Sequence, residues 1–199
     1  MSNQPSFDIN VAVLAAGRAS RYGGNKLLAT PPGHSSPLVC QVINTCKQAG
    51  LTNITLYTGY WHEALEQALP ASVSQHFVEN WQQGIAASLN TAAARAEAAG
   101  QPLLIALGDH ADLNCSHLHK LVANFHQRQV ITATQCAGII TPPVIFPVHE
   151  LPLLAALKGD SGAGKILKTM VKSAPERIQL VAVEKLTDID CPADWHKLD

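Results

Sequence analysis

Apolar positions along this chain fall into two alternating rhythms. Short runs rich in branched residues are followed by longer stretches in which apolar positions recur every three or four residues. The first rhythm predicts buried strands and the second predicts helices with one face turned inward. Ile9 to Ala15 is the first strand, and it opens directly into a glycine-rich segment. Pro37 to Ala49, stopped by Gly50, reads as a helix with glycine at its C-terminal boundary. Asn53 to Thr58 is a second strand, Trp61 to Leu69 a short helix stopped by Pro70, and Val73 to Val78 a third strand. Gly84 to Ala99 is alanine-rich, ends at Gly100 and predicts a helix. Pro102 to Leu107 is wholly apolar, as a strand in mid-sheet would be, and runs into Gly108-Asp109.

The alternation continues to the end. A helix is expected over Ser116 to Arg128, a strand over Val130 to Gln135 and a short strand over Val144 to Phe146. Helices at His149 to Leu157 and Gly162 to Ser173 precede a strand at Ile178 to Val183. Asp188-Ile189-Asp190 and a short helix from near Pro192 follow. Such alternation calls for a mostly parallel sheet with helices on both faces, a three-layer α/β/α, Rossmann-like arrangement. No repeat or low-complexity linker interrupts it, so residues 1–199 are expected to form one domain. Ligands of such sheets sit beyond the carboxyl ends of the strands. That rule selects the loop after the first strand and Asp109 after the apolar one.

Composition narrows the function. Hydrophobic residues make up 47% and charged residues 15%, which suits a packed core. A net charge of −1 provides no global basic field for nucleic acid or an acidic membrane surface, so any anion must be held by a local cluster. The five cysteines are scattered and form no C-x-x-C pair, which points to a reducing compartment. The opening MSNQPSFDIN has neither a basic region followed by an apolar stretch nor any membrane-length run after it, so a cytoplasmic protein is expected.

That local cluster lies in residues 14–26, LAAGRASRYGGNK. Gly17, Gly23 and Gly24 allow close backbone approach, and Arg18, Arg21 and Lys26 place three cations within nine positions. A triphosphate needs this combination of backbone N–H groups and fixed positive charge. A solvated surface loop is the alternative, but the loop follows a buried strand directly. Its spacing matches neither G-x-G-x-x-G nor a Walker A loop. At the end of its strand, Asp109 is suited to hold Mg²⁺ beside bound phosphates, the competing reading being a simple turn.

LAAG-x-x-S-R-x-G-G-x-K-L-L resembles the signature of the MobA-like nucleotidyltransferases. It is most similar to the molybdenum cofactor cytidylyltransferase branch, which carries Leu-Ala-Ala-Gly as Leu14 to Gly17 do here. Further matching stretches are Glu79-Asn80-Trp81 through Gly84 to Ser88-Leu89, Gly108-Asp109, Pro143 to Phe146, Gly159 to Ala163 and Asp188 to Asp194. The resemblance implies transfer of CMP from CTP to a phosphorylated acceptor such as molybdopterin, with release of pyrophosphate. It further implies that Leu14, Ala15, Ala16, Gly17, Arg18, Arg21, Lys26, Asn80 and Ser88 bind the nucleotide, and that Arg21, Lys26 and Asp109 serve catalysis. One of Asp188 and Asp190, with Asp190 favoured, would complete the metal site, although Asp190 also stands near the helix opened by Pro192. Asp160, Gly162 and Lys165 are implied as acceptor contacts. Sugar-phosphate or methylerythritol-phosphate transfer, or a non-catalytic nucleotide-binding role beside a molybdoenzyme, are the alternatives. They stay open because the chain has Asp109-His110-Ala111 where the family has Asp-Gln-Pro, Thr141-Pro142-Pro143 for Gly-Asn-Pro, and Gly162-Ala163-Gly164 for Gly-Ala-Arg.

Three other features invite a function. Residues 159–165, GDSGAGK, satisfy G-x-x-x-x-G-K, but Ile166 replaces the Ser or Thr a P-loop needs. His110, Cys115, His117 and His119 suggest zinc, yet His117 and His119 would diverge on a helix, and a histidine-rich surface helix is expected. Trp61, Trp81 and Trp195 lie far from the glycine loop in sequence and are expected to pack in the core or at its edge.

Overall fold

The computed structural model describes residues 8–198. The polar segment 1–7, in which no export signal is expected, lies outside the described residues, as does Asp199. Seven strands form one sheet: β1 (Asn10–Ala15), β2 (Ile54–Thr58), β3 (Ser74–Phe77), β4 (Leu103–Leu107), β5 (Ile131–Cys136), β6 (Ile139–Phe146) and β7 (Ile178–Val183). Six α-helices accompany them among the described residues: α1 (Leu38–Gln48), α2 (His62–Ala68), α3 (Ile85–Ala98), α4 (Cys115–Arg128), α5 (Leu151–Ala155) and α6 (Gly164–Ser173). The spatial order is β3-β2-β1-β4-β6-β5-β7, with only β6 antiparallel to its neighbours. Among the described residues no helix is long and apolar enough to cross a membrane.

Period-two alternation splits the strands between two cores. Val11 and Val13 of β1, with Leu104 and Ala106 of β4, face α1 and α4. Ala12 of β1, with Leu103 and Ile105 of β4, faces α3, α5 and α6. Each helix answers with a stripe at helical spacing. Val39, Val42, Ile43 and Cys46 form that stripe on α1, and Leu118, Leu121, Val122 and Phe125 form it on α4. On the other face, Leu89, Ala92, Ala93 and Ala96 let α3 lie close to the sheet. Each fully buried Leu, Ile or Phe here contributes about 1.5–3 kcal/mol over leaving it in water.

The C-terminal half departs from the sequence expectation in two places. β6 runs from Ile139 rather than Val144, even though it contains Thr141-Pro142-Pro143. Ala137 and Gly138, with φ of +47° and +79°, turn the chain back on β5. The pairing then skips from Thr134↔Thr141 to Ala133↔Val144, so the two prolines, which lack N–H donors, sit in the irregularity. The Thr134 hydroxyl donates to the Pro143 carbonyl at 2.7 Å across this gap. The helix expected over His149 to Leu157 is instead a 3-10 turn, Val148–Glu150, followed by the short α5, with Pro152 in its first turn. Buried Glu150 takes a two-pronged ion pair from Arg177 at 2.9 and 2.7 Å and pins this corner.

From β1 the chain builds outward to β3, then crosses back to place β4 on the other side of β1. The carboxyl ends of β1 and β4 therefore flank a topological switch point, where a crevice opens.

Candidate active site

A cavity of about 570 Å³ occupies this crevice, within the range of small-molecule sites. Its first wall is the loop after β1. Leu14, Ala15, Ala16, Gly17, Arg18, Arg21 and Lys26 all line it. The loop is held from behind by backbone bonds, the Tyr60 N–H donating to Ala16 O at 3.2 Å and the Gly108 N–H to Leu14 O at 3.0 Å. Trp61 Nε1 donates to the Arg18 carbonyl at 3.1 Å, and the Arg18 guanidinium lies 5.0 Å over the Tyr60 ring.

The floor is ionic. Lys26 Nζ stands 2.5 Å from Asp109 Oδ2 and 3.4 Å from Asp190 Oδ1, and Arg21 reaches Asp190 Oδ2 at 3.0 Å. One ammonium thus bridges two carboxylates delivered from the end of β4 and from the C-terminal segment. Asp190 is held there by Asp194, whose Oδ2 accepts the backbone N–H groups of Asp190 and Cys191, each at 2.7 Å. Lys197 lies 2.6 Å from the other Asp194 oxygen. The Lys197 hydrogen bond, followed by those from the backbone, holds the Asp194 carboxyl well below the usual carboxylate range.

The opposite wall comes from the start of α3. Gly84, Ile85 and Ser88 line the cavity there, with Trp81 and Gln82 of the preceding 3-10 turn. Asp160 closes this wall and also opens a second groove, which Gly162, Lys165, Lys168 and Lys172 line along one face of α6. Gly159-Asp160 packs against Gly84 rather than forming a phosphate loop, and α6 begins at Gly164.

The structure therefore brings Leu14 to Arg18, Arg21, Lys26, Ser88, Asp109, Asp160 and Asp190 to one cavity. Gly162 and Lys165 fall in the adjoining groove. Asn80 lines neither; it is exposed just before the turn that carries Trp81. Trp61 and Trp81 pack at the edges of the two cores as expected, and both also line the cavity. Each also meets Tyr60 edge-on, at 4.9 and 5.6 Å between ring centroids. Trp195 is likewise against the loop, donating to the Tyr22 hydroxyl at 3.1 Å. Sequence separation hid this for Trp61 and Trp195, whereas Trp81 stands in the Glu79-Asn80-Trp81 stretch that matches the family.

The histidine cluster disperses. His117 is buried rather than on the surface, its Nε2 2.8 Å from Thr134 Oγ1. Thr134 already donates to Pro143, so His117 Nε2 is the donor. Burial pushes the His117 pKa down. His119 is exposed, and Cys115 Sγ contacts Thr45 O and Gln48 Oε1. His110 turns instead toward Asp188.

Comparison with known proteins places this geometry in a group. Residues 11–176 match the MobA-like NTP transferase domain family. The chain is 28% identical over 191 residues to purine catabolism protein PucB of Bacillus subtilis (strain 168), covering 92% of this chain and 91% of that one. The crystal structure of Rv0371c from Mycobacterium tuberculosis H37Rv is similar with a TM-score of 0.82 and 26% identity, covering 98% of each chain. A structure of Rv0371C in complex with manganese is similar with a TM-score of 0.78 and 24% identity, covering 96% of this chain and 98% of that one.

Proposed function

Because the chain belongs to the MobA-like NTP transferase domain family, we propose that residues 1–199 form one nucleotidyltransferase domain that transfers CMP from CTP to the phosphate of an acceptor such as molybdopterin. The observation that carries this reading is the Lys26 ammonium set between Asp109 and Asp190 beneath the glycine loop. With its carboxylates paired to Lys26 and Arg21, the floor is charge-balanced and leaves little positive charge for phosphates. Two carboxylates converging on one cation make a fitting oxygen-donor set for a divalent ion, Mg²⁺ in the first instance. The manganese complex of the similar mycobacterial protein supports a divalent ion of this kind. Bound there, such an ion would supply positive charge against the phosphates.

Asp109 and Asp190 would hold it, and Lys26 and Arg21 would direct their charge at the triphosphate. Arg21 can grip two phosphate oxygens, whereas Lys26 acts as a point charge. Gly17 and its neighbours offer backbone N–H groups, and Trp81, Gln82 and Ser88 form the wall on which the nucleoside rests. An acceptor phosphate oxygen attacks the α-phosphorus, the bond from that phosphorus to the β-bridging oxygen breaks, and pyrophosphate leaves with the electron pair. No nucleophilic side chain is needed, so positioning and electrostatics carry the rate. The acceptor approaches from the groove that Asp160, Gly162 and Lys165 line. The cytidine assignment rests on the Leu14-Ala15-Ala16-Gly17 resemblance.

The test is pyrophosphate release with CTP, GTP, ATP or UTP, each combined with molybdopterin, a sugar phosphate or methylerythritol phosphate. The expected result is turnover with CTP and molybdopterin. Turnover with another acceptor only would overturn the acceptor assignment while leaving the nucleotidyl transfer.

A further inference from the structure

Residues 187–190 lie antiparallel against residues 109–112, stitched by bonds from Ala111 N to Thr187 O at 3.0 Å and Ile189 N to Asp109 O at 3.2 Å. Asp112 reinforces the seam by accepting from the Thr187 N–H at 2.7 Å and the Thr187 hydroxyl at 2.8 Å. In this pairing His110 faces Asp188. The His110 side chain is fully buried, and its Nε2 stands 2.7 Å from Asp188 Oδ1. The contact is off the line a hydrogen bond requires, and neither ring nitrogen has a hydrogen-bond partner. A buried imidazole in that condition is costly unless something else meets its lone pair.

Asp109 supplies the third group. One donor atom from each of Asp109, His110 and Asp188 lies within 4.8 Å of the other two. Three donors around a transition-metal ion at about 2.0–2.2 Å stand roughly 3–3.6 Å apart, so the three side chains need only draw in around it. Asp109 has an oxygen to spare, since Lys26 contacts only Oδ2. Neither His110 nor Asp188 lines the nucleotide cavity, so the cluster lies behind Asp109 rather than on the cavity floor. Asp188 is half exposed and gives an ion its way in. An imidazole with two carboxylates suits Mn²⁺, Co²⁺ or Zn²⁺, whereas Mg²⁺ prefers oxygen donors and its own water.

We propose that Asp109, His110 and Asp188 form a second cation site, loaded by a first-row transition-metal ion without nucleotide, which clamps the 187–190 segment to the end of β4. The clamp fixes Asp109 directly and steadies Asp190 two residues beyond Asp188. This site shares Asp109 with the nucleotide reading above but needs no nucleotide to fill.

Co²⁺ titrated into the nucleotide-free full-length protein, followed by visible absorption and calorimetry, tests it. One equivalent should bind at least tenfold more tightly than Mg²⁺, with the absorption of a nitrogen-containing site. His110→Gln and Asp188→Asn should each weaken that binding by at least the 10–100-fold typical of losing even an outer-shell partner, while Asp190→Asn should retain it. Circular dichroism of each variant separates lost binding from lost folding. Should His110→Gln not fold, half-exposed Asp188 still gives the answer. Absence of a one-equivalent site in the wild type, a requirement for nucleotide, or unchanged Co²⁺ binding in Asp188→Asn would overturn the proposal.

Discussion

The two walls of the cavity both depend on glycine, but for opposite reasons. On the α3 wall, Gly84 has φ of +103°, and an added Cβ would meet the Gly159 carbonyl carbon and oxygen at 2.5 Å, as well as the Asp160 carboxylate. The Ala86 N–H also donates to Gly159 O at 3.1 Å, so the protein's own packing requires glycine there. On the loop wall, a Cβ at Gly17 would meet nothing within 4 Å, and Gly17 has no positive φ. The fold makes no demand for glycine at that position. What remains to make use of its bare backbone is a ligand pressed against it. One wall is built to hold itself together, and the other is built to receive.

Catalysis gives the sharpest test of this contrast. Asp109→Ala removes a carboxylate that only Lys26 contacts in the floor. It should lower pyrophosphate release by about 10³-fold while leaving the melting temperature within a few degrees. A comparable loss of stability would mean that the loop wall is structural too. Next comes the glycine pair itself. Gly84→Ala should destabilise the protein by roughly 3 kcal/mol, from a forced left-handed backbone and a backbone clash. Gly17→Ala should cost under about 1 kcal/mol in denaturant melts yet weaken nucleotide binding in titration calorimetry. Equal stability losses at the two positions would dissolve the comparison.

Trp61→Phe is a finer probe. It keeps an aromatic wall but removes the Nε1 bond to the Arg18 carbonyl, and should raise the nucleotide Kd several-fold, in keeping with about 1 kcal/mol for one hydrogen bond. The smallest effect should come from a site that belongs to neither wall. Burial holds the pKa of His117 below its ordinary value of 6.5, so the unfolded chain binds more protons there than the folded one. Its contribution is therefore present above about pH 6.5 and declines as pH falls through the lower folded value. Melting curves between pH 7 and 5 should show a modest fall, and His117→Gln should flatten it.

The loop wall was legible because its chemistry is local. Leu14 to Lys26 follow one buried strand, and Asp109 ends another, so strand-end reasoning finds both. The opposite wall was legible only through the family resemblance, which named Ser88 and Asp160, while the cavity roles of Trp61 and Trp81 were missed because they meet only when β2 and the turn before α3 converge. Asn80 shows the limit of adjacency: one residue from Trp81, it is exposed and lines neither the cavity nor the groove. In the fold, the strand runs announced themselves, while β6 was shortened in expectation by prolines that the irregular pairing with β5 absorbs. His110 gave no local sign of Asp188, since their contact depends on a backbone pairing across 78 positions of sequence.

The central claim is that the loop cations and the Asp109 floor grip a triphosphate. Calorimetric titration of CTP with Mg²⁺ into the wild type and Lys26→Met tests it most directly. The account predicts saturable one-to-one binding in the wild type, weakened at least tenfold in a Lys26→Met protein that still melts cooperatively. Equal affinity in the two proteins would contradict it.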